Sequence, residues 1–153
     1  KRQSEQIGLL KKLWTERSVN FQGEFDQITH AGVNPLPIQH TIPVWFGGGS
    51  DATLKRAARL GDGWIPLGNP GSKTIKMIEK LNRFLDEENR DKTKFGIEAW
   101  IRYGDGEPDV WKATAEKWKQ LGATHLTFYT SGQGAGTVSQ QIEAMKIFKD
   151  AIQ

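Results

Sequence analysis

Several residue types and patterns are absent from this 153-residue chain, and each absence excludes a class of structure. It has no cysteine, which excludes disulfide bonds and thiolate metal sites and is typical of a cytoplasmic protein. It has no run of about 18 apolar residues, so it offers no candidate membrane span. Its three histidines, His30, His40 and His125, do not have the spacing of a metal motif. Because the chain starts at Lys1 without Met, we expect a truncated or processed product.

An excess of charge of either sign is also missing. The 21 Lys and Arg residues are nearly balanced by 18 Asp and Glu, for a net charge of +3. Basic and acidic residues are mixed along the predicted helices, and pairs such as Lys11-Lys12 are typical of a solvated helix face. We therefore expect neither a nucleic-acid partner nor a membrane partner.

The chain does contain a regular alternation of strand-like and helix-like segments. Residues 1–40 are expected to form a helix over 4–16 and an irregular connecting segment. The rest predicts four strands, each followed by a helix, over the ranges 43–46, 51–60, 63–67, 72–89, 95–103, 109–121, 125–130 and 138–152. Strands alternating with helices predict a parallel α/β sheet with right-handed crossovers. Two architectures fit this (βα)4 unit: an open doubly wound sheet, or half of a (β/α)8 TIM barrel.

Side-chain alternation favours the half barrel. One face of the strand predicted over 95–103 is apolar, and the other carries Glu98, Trp100 and Arg102. A central strand of an open parallel sheet is usually apolar on both faces. A polar and aromatic face is typical of the inside of a barrel close to a functional site.

The most informative motif follows the first predicted strand, where Gly47, Gly48 and Gly49 precede Ser50 and a helix. Glycines let a ligand approach the backbone closely, and the free N–H groups of a helix amino-terminus attract phosphate. The spacing matches neither the Rossmann nor the P-loop pattern. The alternative is a tight turn that needs glycine for its geometry, with Ser50 as a helix N-cap.

Each remaining candidate has a structural alternative. Glu98 and Arg102 can face a substrate, although an ion pair inside the barrel is the simpler interpretation. His125 can be a general acid or base, or a structural histidine. Asp62 is expected to tie a helix to a strand within its turn. The glycines after the fourth strand can hold a phosphate or form a flexible loop: Gly132, Gly134 and Gly136.

A family resemblance rests on the order and spacing of five segments. They are L-K-K-L-W-T-E-R-S-V-N-F-Q-G-E-F from Leu10, N-P-L-P from Asn34, I-P-V-W-F-G-G-G-S from Ile42, A-A-R-L-G-D-G-W from Ala57 and L-G-A-T-H-L-T-F-Y-T from Leu121. Together they resemble the luciferase-like monooxygenase superfamily, and within it the deazaflavin (coenzyme F-420)-dependent oxidoreductases. The resemblance covers nearly the whole chain but only the carboxyl-terminal half of the family's fold.

This resemblance implies a (β/α)8 barrel of the bacterial-luciferase type, of which the chain supplies strands five to eight. It implies that coenzyme F-420, or FMN as the alternative, lies at the carboxyl ends of the strands, and that hydride is exchanged with a small organic substrate. Contacts with the cofactor carry over to Gly47, Gly48, Gly49 and Ser50. Contacts with its phosphate-bearing chain carry over to Leu67 and Gly68. Because the family's acid/base lies in the other half, no catalytic residue is assigned.

The resemblance also bears on partners. Half of a barrel exposes two sheet edges, which must be covered. We therefore expect a homo-oligomer, in which a second copy completes the barrel, or a complementing amino-terminal half. The alternative is a stand-alone (βα)4 module that binds a phosphate-bearing ligand or mediates assembly without redox activity.

Overall fold

The computed structural model describes residues 1–132 and 134–153 and contains two sheets. The described helices are α1 (Arg2–Thr15), α2 (Asp51–Leu60), α3 (Ser72–Glu87), α4 (Pro108–Gln120) and α5 (Val138–Ile152). The described strands are β1 (Val19–Gln22), β2 (Gln27–Ala31), β3 (Trp45–Gly47), β4 (Gly63–Ile65), β5 (Gly96–Arg102) and β6 (His125–Tyr129). Within these residues no helix is long and apolar enough to cross a membrane.

The larger sheet has four parallel strands, as predicted, and their sequential order β3-β4-β5-β6 is that of half a barrel and not of a doubly wound sheet. Each crossover between neighbouring strands contains one α-helix. The strand predicted over 63–67 ends earlier, at Ile65, because Pro66 has no N–H with which to continue the ladder. The strand predicted from residue 43 begins at Trp45, because the N–H of Val44 donates to the Asp62 carboxylate at 2.8 Å. This bond confirms Asp62 as the residue that ties its turn to a strand.

Two of three predicted helix signals are confirmed. The Ser50 hydroxyl caps α2 by accepting the Thr53 N–H at 3.2 Å. Gly122 follows α4 with φ of 84°, the left-handed conformation that favours glycine. The prediction that Ser72 caps α3 is wrong, since Ser72 is already the first helical residue and Gly71 occupies the cap position.

The segment predicted to be irregular contains an antiparallel hairpin of β1 and β2. Its turn is bound to α1 by the carboxylate of Glu5, which accepts the N–H groups of Glu24, Phe25 and Asp26 at 2.7, 3.0 and 2.9 Å. Desolvation alone would raise the pKa of Glu5, but these backbone hydrogen bonds outweigh it and lower that pKa below its ordinary value.

The hairpin should therefore loosen in acid. A carboxylate with a lowered pKa stabilises the folded state above its unfolded pKa, and this contribution is lost as pH falls below about 4.3. We expect amide hydrogen exchange at Glu24–Asp26 to accelerate in Glu5→Ala at neutral pH and in the parent chain at low pH. Glu16→Ala, at the other end of α1, is the matched control. Equal protection in the parent and Glu5→Ala chains would contradict this assignment.

The helices cover one face of the sheet and leave the other open. Two clusters of buried side chains fill the helical side, and they centre on Trp64 with Leu54 and Leu81, and on Trp111 with Trp118 and Ile101. The opposite face of β5 carries Glu98, Trp100 and Arg102, which are half-buried or exposed. This asymmetry is what an incomplete barrel requires, because the concave face of a complete barrel is covered by its remaining strands.

Candidate cofactor-binding site

The glycine turn after β3 is held in place by the neighbouring strand. Gly48 has φ of 113°, which only glycine adopts without strain. The indole N–H of Trp64, which is fully buried, donates to the Gly48 carbonyl at 2.6 Å. The N–H of Gly48 in turn donates to the Ile65 carbonyl at 3.3 Å. The turn is therefore a fixed feature of the carboxyl edge of the sheet.

The glycines leave room for a ligand next to the backbone. A Cβ atom added at Gly47 or Gly68 would meet no other atom within 4 Å. Packing inside the chain therefore requires glycine at neither position. A Cβ at Gly49 would collide with the Met77 sulfur, so the close approach of that side chain explains Gly49 within the fold itself.

An open cavity of about 420 Å³ joins two of the predicted turns. It brings together Gly49, Leu67, Gly68, Asn69, Lys73, Thr74 and Met77. The Thr74 hydroxyl donates to the Asn69 carbonyl at 2.8 Å and so fixes the loop that forms one wall. Of the six residues that the resemblance assigns to the cofactor, Gly49, Leu67 and Gly68 line this cavity, whereas Gly47, Gly48 and Ser50 lie in the adjoining turn.

Lys73 was not predicted, and it gives this cavity its charge. It lies in the first turn of α3, where the backbone N–H groups are not used within the helix. An ammonium group beside a helix amino-terminus is an arrangement that attracts phosphate. The available signal was its position directly after the G-N-P-G-S turn.

Asp51 begins α2, directly after the glycine turn and Ser50. Its carboxylate accepts a hydrogen bond from the Lys80 ammonium at 2.7 Å and so links the start of α2 to α3. That hydrogen bond lowers the pKa of Asp51 below its ordinary value. Ser50 beside it is occupied as the cap of α2, and its hydroxyl also lies 2.9 Å from that of Thr53. The structural alternative considered for Ser50 is therefore observed.

On the open face of the sheet, Glu98 has partners other than the predicted one. Its Oε1 accepts hydrogen bonds from the Thr127 hydroxyl at 2.7 Å and from the Trp100 indole at 3.1 Å. The predicted ion pair between Glu98 and Arg102 is wrong for the described residues. Four residues along a strand span about 13 Å, which is too far for direct contact. Glu98, Trp100 and Arg102 nevertheless share this face, as expected.

His125 lies apart from the glycine turn, at the amino-terminal start of β6. Its Nδ1 is 2.8 Å from the Thr124 hydroxyl, and its ring meets that of Trp45 edge-on with centroids 5.0 Å apart. Trp45 also covers Gly63 and Gly96, since a Cβ at either position would collide with its ring. These contacts favour the structural alternative for His125.

The glycine loop after β6 and the search for metal ligands add little to the candidate site. Gly132 and Gly134 have φ of 68° and 98°, which fits a turn that needs glycine. Gln133 between them lies outside the described residues. Among the residues that the structure describes, no three His, Asp or Glu side chains form a group that could hold a metal ion.

A comparison with protein-family models decides the family. The model of the luciferase-like monooxygenases matches residues 1–147, which include both glycine turns and the whole parallel sheet. The chain belongs to the luciferase-like monooxygenase family. The resemblance noted from the sequence motifs is thereby confirmed.

The curated relatives of this luciferase-like chain include enzymes named for coenzyme F-420. An F420-dependent glucose-6-phosphate dehydrogenase from Segniliparus rotundus is 32% identical over 113 residues, which are 71% of this chain and 32% of the relative. A second enzyme of that name, from Rhodococcus jostii, is 29% identical over 124 residues, which are 78% of this chain and 36% of the relative. The chain thus spans about a third of the length of these relatives.

Solved structures show the same fold at low sequence identity. The coenzyme F420 dependent tetrahydromethanopterin reductase from Methanopyrus kandleri matches with a TM-score of 0.76 and 13% identity, over 97% of this chain and 62% of that one. A monooxygenase from Streptomyces bottropensis matches with a TM-score of 0.72 and 14% identity, over 97% and 59%. The α/β fold with a parallel four-stranded sheet is therefore that of a partial luciferase-like barrel.

Proposed function

We propose that this chain supplies the carboxyl-terminal part of the cofactor site of a deazaflavin-dependent oxidoreductase. The observation that carries the proposal is the pair of glycine turns at one edge of the sheet. Gly68 and Lys73 line the cavity, and Gly47 leaves open space in the adjoining turn. The relatives and neighbours named for F420 support coenzyme F-420 over the alternative, FMN. When bound, a deazaflavin exchanges a hydride with a small organic substrate.

Different residues would contact different parts of the cofactor. The bare backbone of Gly47 and Gly48 would accept the flat ring system against the end of β3, since no side chain keeps it away. Leu67, Gly68 and Lys73 would hold the phosphate-bearing chain, through the amino-terminus of α3 and the ammonium group. Gly49 and Ser50 would hold the turn in place: Gly49 packs against Met77, and Ser50 caps α2.

The binding of coenzyme F-420 tests this proposal, with Gly47→Val as the informative variant. The valine would enter empty space on the open face, so we expect folding stability within about 1 kcal/mol of the parent. We expect F-420 to bind about tenfold or more weakly, because the side chain would occupy the place of the ring. Fluorescence titration of the deazaflavin measures the affinity, and urea unfolding measures the stability.

Two further variants sharpen this titration. Lys73→Gln should weaken F-420 in a salt-dependent manner, whereas Lys76→Gln, one turn further along α3, should not. Equal affinity in the parent and Gly47→Val chains would contradict the proposed ring site. Failure of the parent chain to bind either F-420 or FMN would favour the module without redox activity.

We further propose that the free edges of β3 and β6 are covered by a second copy of this chain or by an amino-terminal half barrel. Beside β6, helix α5 presents an exposed apolar stripe consisting of Val138, Ile142, Met145 and Ile152. This stripe faces away from α4, because Ile147 on the other flank of α5 lines a crevice with Pro108 and Trp111. Exposed apolar surface beside an open strand edge is typical of an interface.

Without an amino-terminal half we expect the isolated chain to self-associate. Ile142→Glu should weaken the dimer about tenfold or more, because it places a charge at the apolar interface. Ile75→Glu is the control, since Ile75 is similarly exposed but lies on α3. Native mass spectrometry across a dilution series measures the equilibrium. A monomer at every concentration would contradict the self-association expected here.

A further inference from the structure

Two aromatic rings form an exposed shelf on the open face of the sheet. Trp100 on β5 and Tyr129 on β6 stack with centroids 6.1 Å apart and planes inclined by 23°. They remain 36% and 39% exposed. Both lie in the carboxyl-terminal part of their strands, at the edge where the glycine turns also lie. We call this pair the aromatic shelf.

The shelf is held in one orientation. The Trp100 indole N–H donates to Glu98 Oε1 at 3.1 Å, and the same oxygen accepts the Thr127 hydroxyl at 2.7 Å. The carboxylate therefore fixes the indole through its polar edge, while Trp100 as a whole remains 36% exposed. A side chain already ordered in this way loses little entropy when a ligand binds to it.

A cation stands beside the shelf. Arg102 is paired with Tyr129 in the strand register and lies on the same face as Trp100, two residues away. Within residues 1–132 and 134–153 its guanidinium makes no ion pair. Covering this face with apolar side chains would bury a charge without compensation, which is costly. An anion carried by the occupant would remove that cost.

We propose that the aromatic shelf binds a planar, conjugated small molecule that carries an acidic group. Its ring would pack against the exposed surface of the Trp100–Tyr129 pair, and its carboxylate or phenolate would pair with Arg102. The inference rests on the proposed function, since it names the substrate class for the same edge of the sheet. The relatives named above are glucose-6-phosphate dehydrogenases, and a sugar phosphate has an anionic group but no flat ring. The proposed substrate class therefore differs from the sugar phosphate in those names.

Ligand binding to the isotope-labelled chain tests the inference without coenzyme F-420. The probe is 2-naphthoate, and the readout is the indole N–H resonance of Trp100, assigned with Trp100→Phe. Three compounds serve as comparisons: cyclohexanecarboxylate lacks the flat ring, 2-naphthalenemethanol lacks the charge, and glucose 6-phosphate lacks the ring but keeps an anion. We expect saturable shifts with 2-naphthoate, and affinities about tenfold lower or worse for the other three.

Variants distinguish binding at the aromatic shelf from nonspecific hydrophobic binding elsewhere on the surface. Trp100→Leu and Tyr129→Leu should each weaken 2-naphthoate about tenfold, and Tyr129→Phe should bind like the parent. Arg102→Gln should weaken 2-naphthoate but not 2-naphthalenemethanol. Phe25→Leu is the control, since Phe25 is 41% exposed on the hairpin, away from the shelf. Dispersed amide spectra establish that each variant is folded.

Three results would overturn the inference: no saturable binding of 2-naphthoate by the folded parent chain, binding that survives Trp100→Leu and Tyr129→Leu, or equal affinity for cyclohexanecarboxylate. None of these results concerns the glycine turns. If F-420 binds and responds to Gly47→Val while 2-naphthoate fails, the substrate class is wrong and the cofactor site stands. If 2-naphthoate binds while F-420 does not, the proposed function fails and the shelf remains a binding site.

Discussion

Gly96→Ala is expected to destabilise the fold by about 1–3 kcal/mol, because the new methyl group would collide with the ring of Trp45. That ring crosses the open face of the sheet from β3, over Gly63 and Gly96, and reaches His125 on β6. Its position leaves no space for a side chain at Gly96. Urea unfolding should show a lower midpoint for the variant.

A double-mutant cycle assigns this cost to Trp45. In a Trp45→Leu background, Gly96→Ala should cost much less, with a coupling energy of about 1 kcal/mol or more. Gly8→Ala is the control. Apart from its chain neighbours and the nearby backbone of its own helix, no atom lies within 4 Å of the added Cβ, and alanine stabilises the interior of α1 by up to about 1 kcal/mol relative to glycine. The same penalty with and without the Trp45 ring would contradict the packing described.

Trp64→Phe is expected to release the glycine turn. The substitution keeps most of the buried ring but removes the N–H that donates to the Gly48 carbonyl at 2.6 Å. An acceptor left without its partner costs about 1–3 kcal/mol. We expect lower stability, faster amide exchange at Gly48 and weaker binding of F-420, because the backbone that receives the ring is no longer held.

Trp118→Phe is the matched control. Trp118 is equally buried, but within the described residues its indole nitrogen has no hydrogen-bond partner. The same loss of volume therefore removes no hydrogen bond there. We expect a smaller loss of stability and unchanged exchange at Gly48. Equal effects of the two substitutions on the turn would show that packing, and not this hydrogen bond, holds it.

The parallel sheet could be predicted because its signals are local. Apolar runs, helical periodicity and glycines after strands each depend on neighbouring residues, and they predicted the four parallel strands, the helices between them and the cap by Ser50. The boundaries were less accurate where one residue overrides the pattern. Pro66 ends β4 early. The carboxylate of Asp62 accepts the N–H of Val44, so that β3 begins only at Trp45.

Contacts between distant residues could not be predicted in the same way. The hairpin depends on Glu5, which binds backbone about 20 residues further along, and no local pattern encodes that pairing. Trp64 could be assigned to the core, but not to the Gly48 carbonyl 16 residues earlier. The ion pair between Glu98 and Arg102 was predicted from charge alone, whereas the spacing along a strand separates the two groups.

In the candidate site, too, residues with a local signal were predicted, and residues placed by tertiary packing were missed. The turn that contains Gly49 was predicted from its position after a strand, whereas Leu67 and Gly68 were implied by the family resemblance; all three line the cavity. Lys73 and Met77 were missed because they belong to α3, whose placement beside the first turn depends on the packing of α2 against α3. The aromatic shelf required the register of β5 with β6, which places Tyr129 next to Arg102.

Hydrogen exchange with and without coenzyme F-420 is the sharpest test of the cofactor site, because it reports where the cofactor touches this chain. We expect slower exchange in peptides that cover residues 47–50 and 67–77 when F-420 is added. We expect no change in the hairpin around residues 19–31. Protection confined to other segments, or no protection at concentrations that saturate binding, would contradict the assignment of the cofactor site to the two glycine turns.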